Sequence, residues 1–166
     1  MAILIAIPIL VLLLILQSAV ISRIPLLHGT ADLVLLAVVA WALQKRVQTA
    51  WHWSIIAGLL VSIVSALPVG VPLVGYPLAV GFAMILRQRV WQVPILAMFI
   101  AALMGTLLTH AISFIALRAF GSLLPWQDTL NLITLPSILL NLLLAIPAYA
   151  LLGDLANWLY PEELEV

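Results

Sequence analysis

Cysteine is absent from this chain and charge is scarce. The lack of cysteine excludes disulfide bonds, thiol catalysis and cysteine-ligated metal sites. Only 7% of the 166 residues are charged, whereas a soluble domain carries about a quarter. Six basic and six acidic residues balance to zero, so there is no electrostatic basis for nucleic-acid binding. Because 66% of the residues are hydrophobic, we expect an integral membrane protein.

Apolar stretches of membrane-spanning character fill the chain. A spanning helix needs about 20 apolar residues, which allows about six spans. We therefore expect an all-α integral membrane protein, a six-helix transmembrane bundle that forms a single domain over 1–166. The expected spans are about 2–21, 27–43, 51–67, 73–86, 92–117 and 129–159. The first lacks the basic region of a cleavable signal, so it is predicted to be retained.

Two segments depart from regular spans. The second stretch is short and opens at Thr30, a good N-cap residue, with Asp32 in its first turn. The segment Pro68 to Pro77 holds three prolines and two glycines, which predicts irregular backbone. Such backbone must be buried in protein or lie at an interface, because lipid cannot satisfy its hydrogen bonds. In the last stretch, Pro136 and Pro147 predict a lead-in helix followed by a kinked span.

The basic residues predict an orientation. Lys45, Arg46, Arg87 and Arg89 follow the second and fourth spans, which places those loops in the cytoplasm. Six spans then put both termini in the cytoplasm. Tryptophans are expected at the span ends, where they would form an aromatic belt: Trp51, Trp53, Trp91, Trp126 and Trp158.

Small residues recur at four-residue spacing on the third and fifth spans. Such stripes let membrane helices approach closely, either within the bundle or against a partner's helix. On the fifth span we expect part of the stripe to be exposed, so that Gly105→Leu weakens partner binding without unfolding the monomer. The candidate packing or partner-binding residues are Ser54, Gly58, Ser62, Ala66, Ala97, Ala101, Gly105, Thr109 and Ser113.

Few ionisable groups lie inside the spans, and each is a candidate for function. Asp32 is expected to cap a helix or to order the first connection. His110 is expected to be a hydrogen-bonded packing residue, and Asp154 to pair with Arg87 or Arg89. No paired carboxylates or known catalytic motif are present in the sequence. We therefore expect no catalytic residues, no metal and no cofactor, and hence no enzyme.

Short motifs along most of the chain resemble one membrane-protein family. They are Leu16-Gln17-Ser18, Ala31-Asp32-Leu33-Val34-Leu35, the segment AGLLVSIVSALPVG at 57–70, and LNLLLAIP at 140–147. In order and position they resemble the rod-shape-determining MreD family. That family often carries an aspartate where Ser62 stands here, so any role of that carboxylate does not transfer, and Ser62 joins the small-residue stripe.

The resemblance implies a non-catalytic subunit of the bacterial cell-elongation machinery in the plasma membrane. Its partners would be the single-span protein MreC, and through it the MreB cytoskeleton, RodA and a class B penicillin-binding protein. MreD is similar in fold to the substrate-binding subunits of energy-coupling-factor vitamin transporters, which supplies an alternative function. Residues that could hold a vitamin at the outer mouth are Arg23, His28, Tyr76, Arg118, Trp126, Gln127 and Asp128.

Overall fold

The protein is all-helical, with no strand, in the residues that a computed structural model describes, which are 2–23, 25–68, 70–89, 93–123 and 125–161. The α-helices are α1 (Ala2–Ala19), α2 (Leu33–Leu43), α3 (Ala50–Val64), α4 (Val71–Arg89), α5 (Pro94–Ala119), α6 (Trp126–Asp128) and α7 (Leu135–Leu159). A 3-10 turn (Ile21–Arg23) follows α1, and a π-helical segment (Thr129–Thr134) joins α6 to α7.

Three helices within this described part are long and apolar enough to cross a membrane. They are Val71–Arg89, Pro94–Ala119 and the continuous run Trp126–Leu159. Shorter apolar helices cover Ile3–Ala19, Leu33–Leu43 and Ala50–Val64. The expectation of an all-helical membrane protein is therefore supported by both composition and structure.

Helix α2 lies at the centre of the bundle. All ten residues from Val34 to Leu43 are buried, and the helix contacts α1, α3, α4, α5 and α7. Its 11 residues rise only about 16 Å, short of the roughly 30 Å hydrocarbon core. The span predicted at 27–43 was therefore too long at its start, because helix begins only at Leu33. A helix that is apolar on every side can be surrounded by lipid or by other helices, and here other helices surround it.

Irregular backbone was predicted from Pro68 to Pro77. This was wrong for most of the segment, because α4 begins at Val71 and continues through Pro77. Pro72 lies in the first turn, where its missing N–H would have had no partner in any case. Gly70, at φ +103°, provides the turn that precedes the helix. The fourth helix is thus longer than the predicted 73–86, and the irregular part is confined to the residues before it.

The predicted aromatic belt is only partly present. Trp51, Trp126 and Trp158 are exposed near helix ends, whereas Trp91 lies outside the described residues. Trp53 is fully buried and stacks on Trp41 with ring centroids 4.3 Å apart. It therefore packs in the core, because the short helix α2 places the Trp41 ring beside it.

Candidate functional site: a polar network at the start of α2

Asp32 organises the polar end of the bundle. It is the N-cap of α2, and its Oδ1 accepts a hydrogen bond from the Leu35 amide at 2.9 Å. Its Oδ2 accepts a hydrogen bond from the Tyr76 hydroxyl at 2.8 Å. The cap is therefore Asp32 itself and not Thr30. The first turn of a helix favours a negative group, because the helix dipole and the free amides both point toward it.

Asn141 extends this network to two further helices. Its Oδ1 accepts from the Asp32 amide at 2.8 Å, and its Nδ2 donates to the Thr106 hydroxyl oxygen at 2.8 Å. Thr106 in turn donates to the carbonyl of Ala102 at 2.7 Å. Asn141 and Thr106 are buried, so these bonds satisfy groups that would be costly to leave unpaired inside the bundle.

Hydrogen bonds from backbone amides to acceptors on other helices also hold the connection before α2. Gln17 Oε1 accepts from the Val34 amide at 3.2 Å, which ties α1 to the start of α2. The Thr30 amide donates to Ser137 Oγ at 3.1 Å, and the His28 amide donates to the Leu132 carbonyl at 3.0 Å. One end of α2 is thus fastened to α1, α4, α5 and α7.

A cavity of about 280 Å³ opens beside Asp32 and Tyr76. Its polar lining includes Gln17 and His110, and His110 Nδ1 lies 3.1 Å from the Thr134 hydroxyl oxygen. The other hydroxyl-bearing lining residues are Thr30, Ser65, Thr109 and Ser113. This arrangement can hold a small polar group by hydrogen bonds to amide, hydroxyl and carboxylate groups.

Four predicted site residues meet at this cavity: Asp32, Thr109, His110 and Ser113. Asp154 does not, because it lies exposed on α7 near the other end of α2. The predicted pairing of Asp154 with an arginine is not what the structure shows for Arg87. That side chain donates through Nη1 to the carbonyls of Gln44 at 2.8 Å and Val47 at 3.1 Å.

In the small-residue stripe predicted on α3, some residues are buried and others are exposed. Ser54 and Gly58 are buried, and a Cβ on Gly58 would lie 2.9 Å from the Leu73 Cα, so α3 and α4 meet closely there. Ala66 lies beyond the end of α3 and is exposed. Within the described part of the chain, the Ser62 hydroxyl oxygen is buried and has no hydrogen-bond partner.

The stripe on α5 packs inside the bundle. Ala97, Ala101 and Gly105 are buried, while Thr109 and Ser113 are half-buried at the cavity. The ideal Cβ of Gly105 would lie 3.4 Å from the Ala79 Cβ and 3.7 Å from the Leu35 side chain. The expectation that this part of the stripe is an exposed docking face was therefore wrong, because α2 and α4 already cover it.

Gly105→Leu is accordingly expected to destabilise the monomer. Overpacking of a close contact costs about 1–3 kcal/mol, and here the new side chain meets Ala79 and Leu35 at once. Gly105→Ala is the matched control, since its Cβ would make ordinary contacts. Unfolding titrations in mixed micelles should give a lower midpoint for the leucine variant alone. A leucine variant as stable as the wild-type protein would contradict this packing.

The hydrogen-bond partners of Asp32 are not among the contacts predicted from the sequence. Tyr76 was considered only as a ligand-binding residue, and Gln17, Thr106 and Asn141 were given no role. The available signal was Asn141, a single amide side chain in the apolar segment LNLLLAIP at 140–147. Membrane helices retain such a side chain where it finds a hydrogen-bond partner. In the described part of the chain, no group of three His, Asp or Glu side chains could hold a metal ion.

No protein-family model, curated protein or solved structure matches this chain.

Proposed function

We propose that the protein is a non-catalytic membrane subunit of the bacterial cell-elongation complex, which maintains cell shape and regulates peptidoglycan synthesis. It would bind an MreC-like single-span protein and link it to RodA, its class B penicillin-binding partner and MreB. The resemblance of four sequence segments to the MreD family supports this proposal. The proposal also includes a six-span bundle in the plasma membrane with both termini in the cytoplasm.

The observation that carries the proposal is the network at Asp32. Its polar side chains are engaged with helix backbone and with one another: Tyr76 with Asp32, and Asn141 with Thr106. Polar groups used in this way join helices into one body, which is what a subunit that supports other membrane helices requires.

Co-purification tests the proposal. The tagged full chain is co-expressed with an MreC-like single-span protein and extracted in mild detergent, and an unrelated single-span protein of equal length is the control. We expect the MreC-like protein to be recovered in a fixed ratio and the control to be washed away. Equal recovery of both single-span proteins, or of neither, would remove the basis for the assignment.

The cavity beside Asp32 favours a second candidate, a substrate-binding subunit of an energy-coupling-factor vitamin transporter. Its volume of about 280 Å³ is close to the lower limit of known ligand pockets. Of the seven residues considered for vitamin binding, Tyr76 lines it. Mass spectrometry of the denatured, purified protein separates the two functions. A bound vitamin in stoichiometric amount would favour the transporter subunit over the elongation subunit.

A further inference from the structure

A basic pocket of about 200 Å³ lies at the opposite end of α2 from Asp32. Four helix ends meet there: the ends of α2, α4 and α7 and the start of α5. Lys45 and Arg46 come from the residues after α2, and Arg87 from the last turn of α4. The pocket therefore sits at the level where spanning helices leave the hydrocarbon core.

The lining of this pocket is complementary to an anion. Its described residues include three cationic side chains and no acidic one. Hydrogen bonds to the Gln44 and Val47 carbonyls fix the Arg87 guanidinium through one nitrogen, and a guanidinium has five N–H donors. Arg46 Nη1 donates to the Tyr160 carbonyl at 3.1 Å, which holds Arg46 across the end of α7.

The start of α5 adds to the positive potential. Pro94 lines the pocket and is the first residue of this 26-residue helix. The N-cap is Val93, whose apolar side chain cannot bond to the first amides of the helix. The N-terminal end of a helix carries partial positive charge, so it favours an anion beside the three basic groups.

An apolar groove of about 380 Å³ lies beside this pocket. Pro94 and Tyr149 line both cavities, so the groove adjoins the pocket. The groove runs between α5 and α7, away from the helix ends and along the apolar faces of both. Its remaining lining residues are Ile95, Met98, Phe99, Ala145, Ile146 and Ala150.

We propose that the pocket and groove together form a binding site for an anionic phospholipid. The phosphate lies among Lys45, Arg46 and Arg87, and one acyl chain follows the groove between α5 and α7. Basic side chains and apolar surface lie side by side here, as a phospholipid requires, whereas a soluble phosphate would use only the pocket. Basic pockets between membrane helices are a recognised site for acidic lipid head groups.

The head-group contacts are tested with a pair of charge variants. The full chain is reconstituted with phosphatidylglycerol or phosphatidylcholine, and retained lipid is measured by native mass spectrometry. The double variant Lys45→Gln/Arg46→Gln should weaken phosphatidylglycerol binding roughly 30-fold, because each basic group near an anionic lipid contributes about fivefold. The control, Arg23→Gln/Arg118→Gln, removes two exposed charges outside the pocket and should leave binding unchanged.

The acyl-chain contact is tested on α7. Ala150 is exposed and lines the groove, so Ala150→Phe should fill it without disturbing the core. Leu151→Phe is the matched control, because Leu151 is an exposed neighbour that does not line the groove. We expect phosphatidylglycerol retention to fall at least threefold in the first variant and to stay unchanged in the second.

Competition with free phosphate and the choice of head group decide the nature of the ligand. Inorganic phosphate at millimolar concentration should fail to displace the lipid, since it makes no contact in the groove. The proposal is overturned if phosphatidylcholine binds as tightly as phosphatidylglycerol, or if the charge variant matches its control. It is also overturned if free phosphate displaces the lipid completely, or if Ala150→Phe behaves as Leu151→Phe does.

Discussion

Asp32→Ala is expected to lower the stability of the protein by roughly 2–4 kcal/mol. The substitution removes the N-cap acceptor of the Leu35 amide and the acceptor of the Tyr76 hydroxyl. Loss of a cap costs about 1 kcal/mol, and a buried donor left without a partner costs about 1–3 kcal/mol more. The loss is seen as a lower midpoint in an unfolding titration in mixed micelles, followed by tryptophan fluorescence.

Asp154→Ala is the matched control for this substitution. It removes the same carboxylate from an exposed position on α7, so the unfolding midpoint should not change. Asp32→Asn should fall between the two, because an amide oxygen still caps the helix while one of the two acceptors is lost. If Asp32→Ala unfolds at the same midpoint as Asp154→Ala, the network does not stabilise the bundle.

The Asp32 variant also bears on partner binding. Because Asp32 binds within its own chain, its removal should reduce co-purification of a partner only in proportion to the unfolded fraction. A folded Asp32→Ala protein that has lost its partner would mean that this end of α2 contacts the partner directly.

Gly29→Ala is expected to be comparably severe. A Cβ at this position would lie 2.6 Å from the Ile133 carbonyl oxygen, 2.7 Å from the Ser137 amide nitrogen and 2.8 Å from the Pro136 Cβ. Two of these three are backbone atoms, so no side-chain rotation relieves the contact. The connection must move away from α7, which breaks the hydrogen bonds from the His28 and Thr30 amides. We expect a loss of roughly 2–4 kcal/mol.

Gly153→Ala is the control for the glycine substitution. Gly153 lies inside α7, and its added Cβ would come no closer than 3.6 Å to the Gln44 side chain. Alanine is the better helix former by about 0.5–1 kcal/mol, so this variant should be slightly more stable than the wild-type protein. The two variants should therefore shift the unfolding midpoint in opposite directions. A shift in the same direction would show that the connection at Gly29 does not pack tightly on α7.

Local signals in the sequence located most of the helices but not their limits. The charges and prolines between apolar stretches separate α3, α5 and α7 much as predicted. Proline misled the prediction at Pro72 and Pro77. Pro72 lies in the first turn of α4, where a proline breaks no hydrogen bond. Pro77 lies inside α4, and membrane helices tolerate interior prolines because neighbouring groups satisfy the freed backbone. Whether a proline begins a helix or interrupts it depends on where the preceding chain turns, which here is at Gly70.

The sequence by itself determined that this is a membrane protein. The fractions of hydrophobic and charged residues are sums over the chain, so they do not depend on the fold. Only the tertiary structure decided which apolar helix is the core. A lipid bilayer and a protein interior are equally apolar. The sequence of α2, which other helices enclose, is therefore as apolar as the sequences of the helices around it. The structure also decided the use of the rare polar groups. Tyr76 and Asn141 lie 44 and 109 residues from Asp32, and hydrogen bonds across such separations form only where the packed helices bring these groups together.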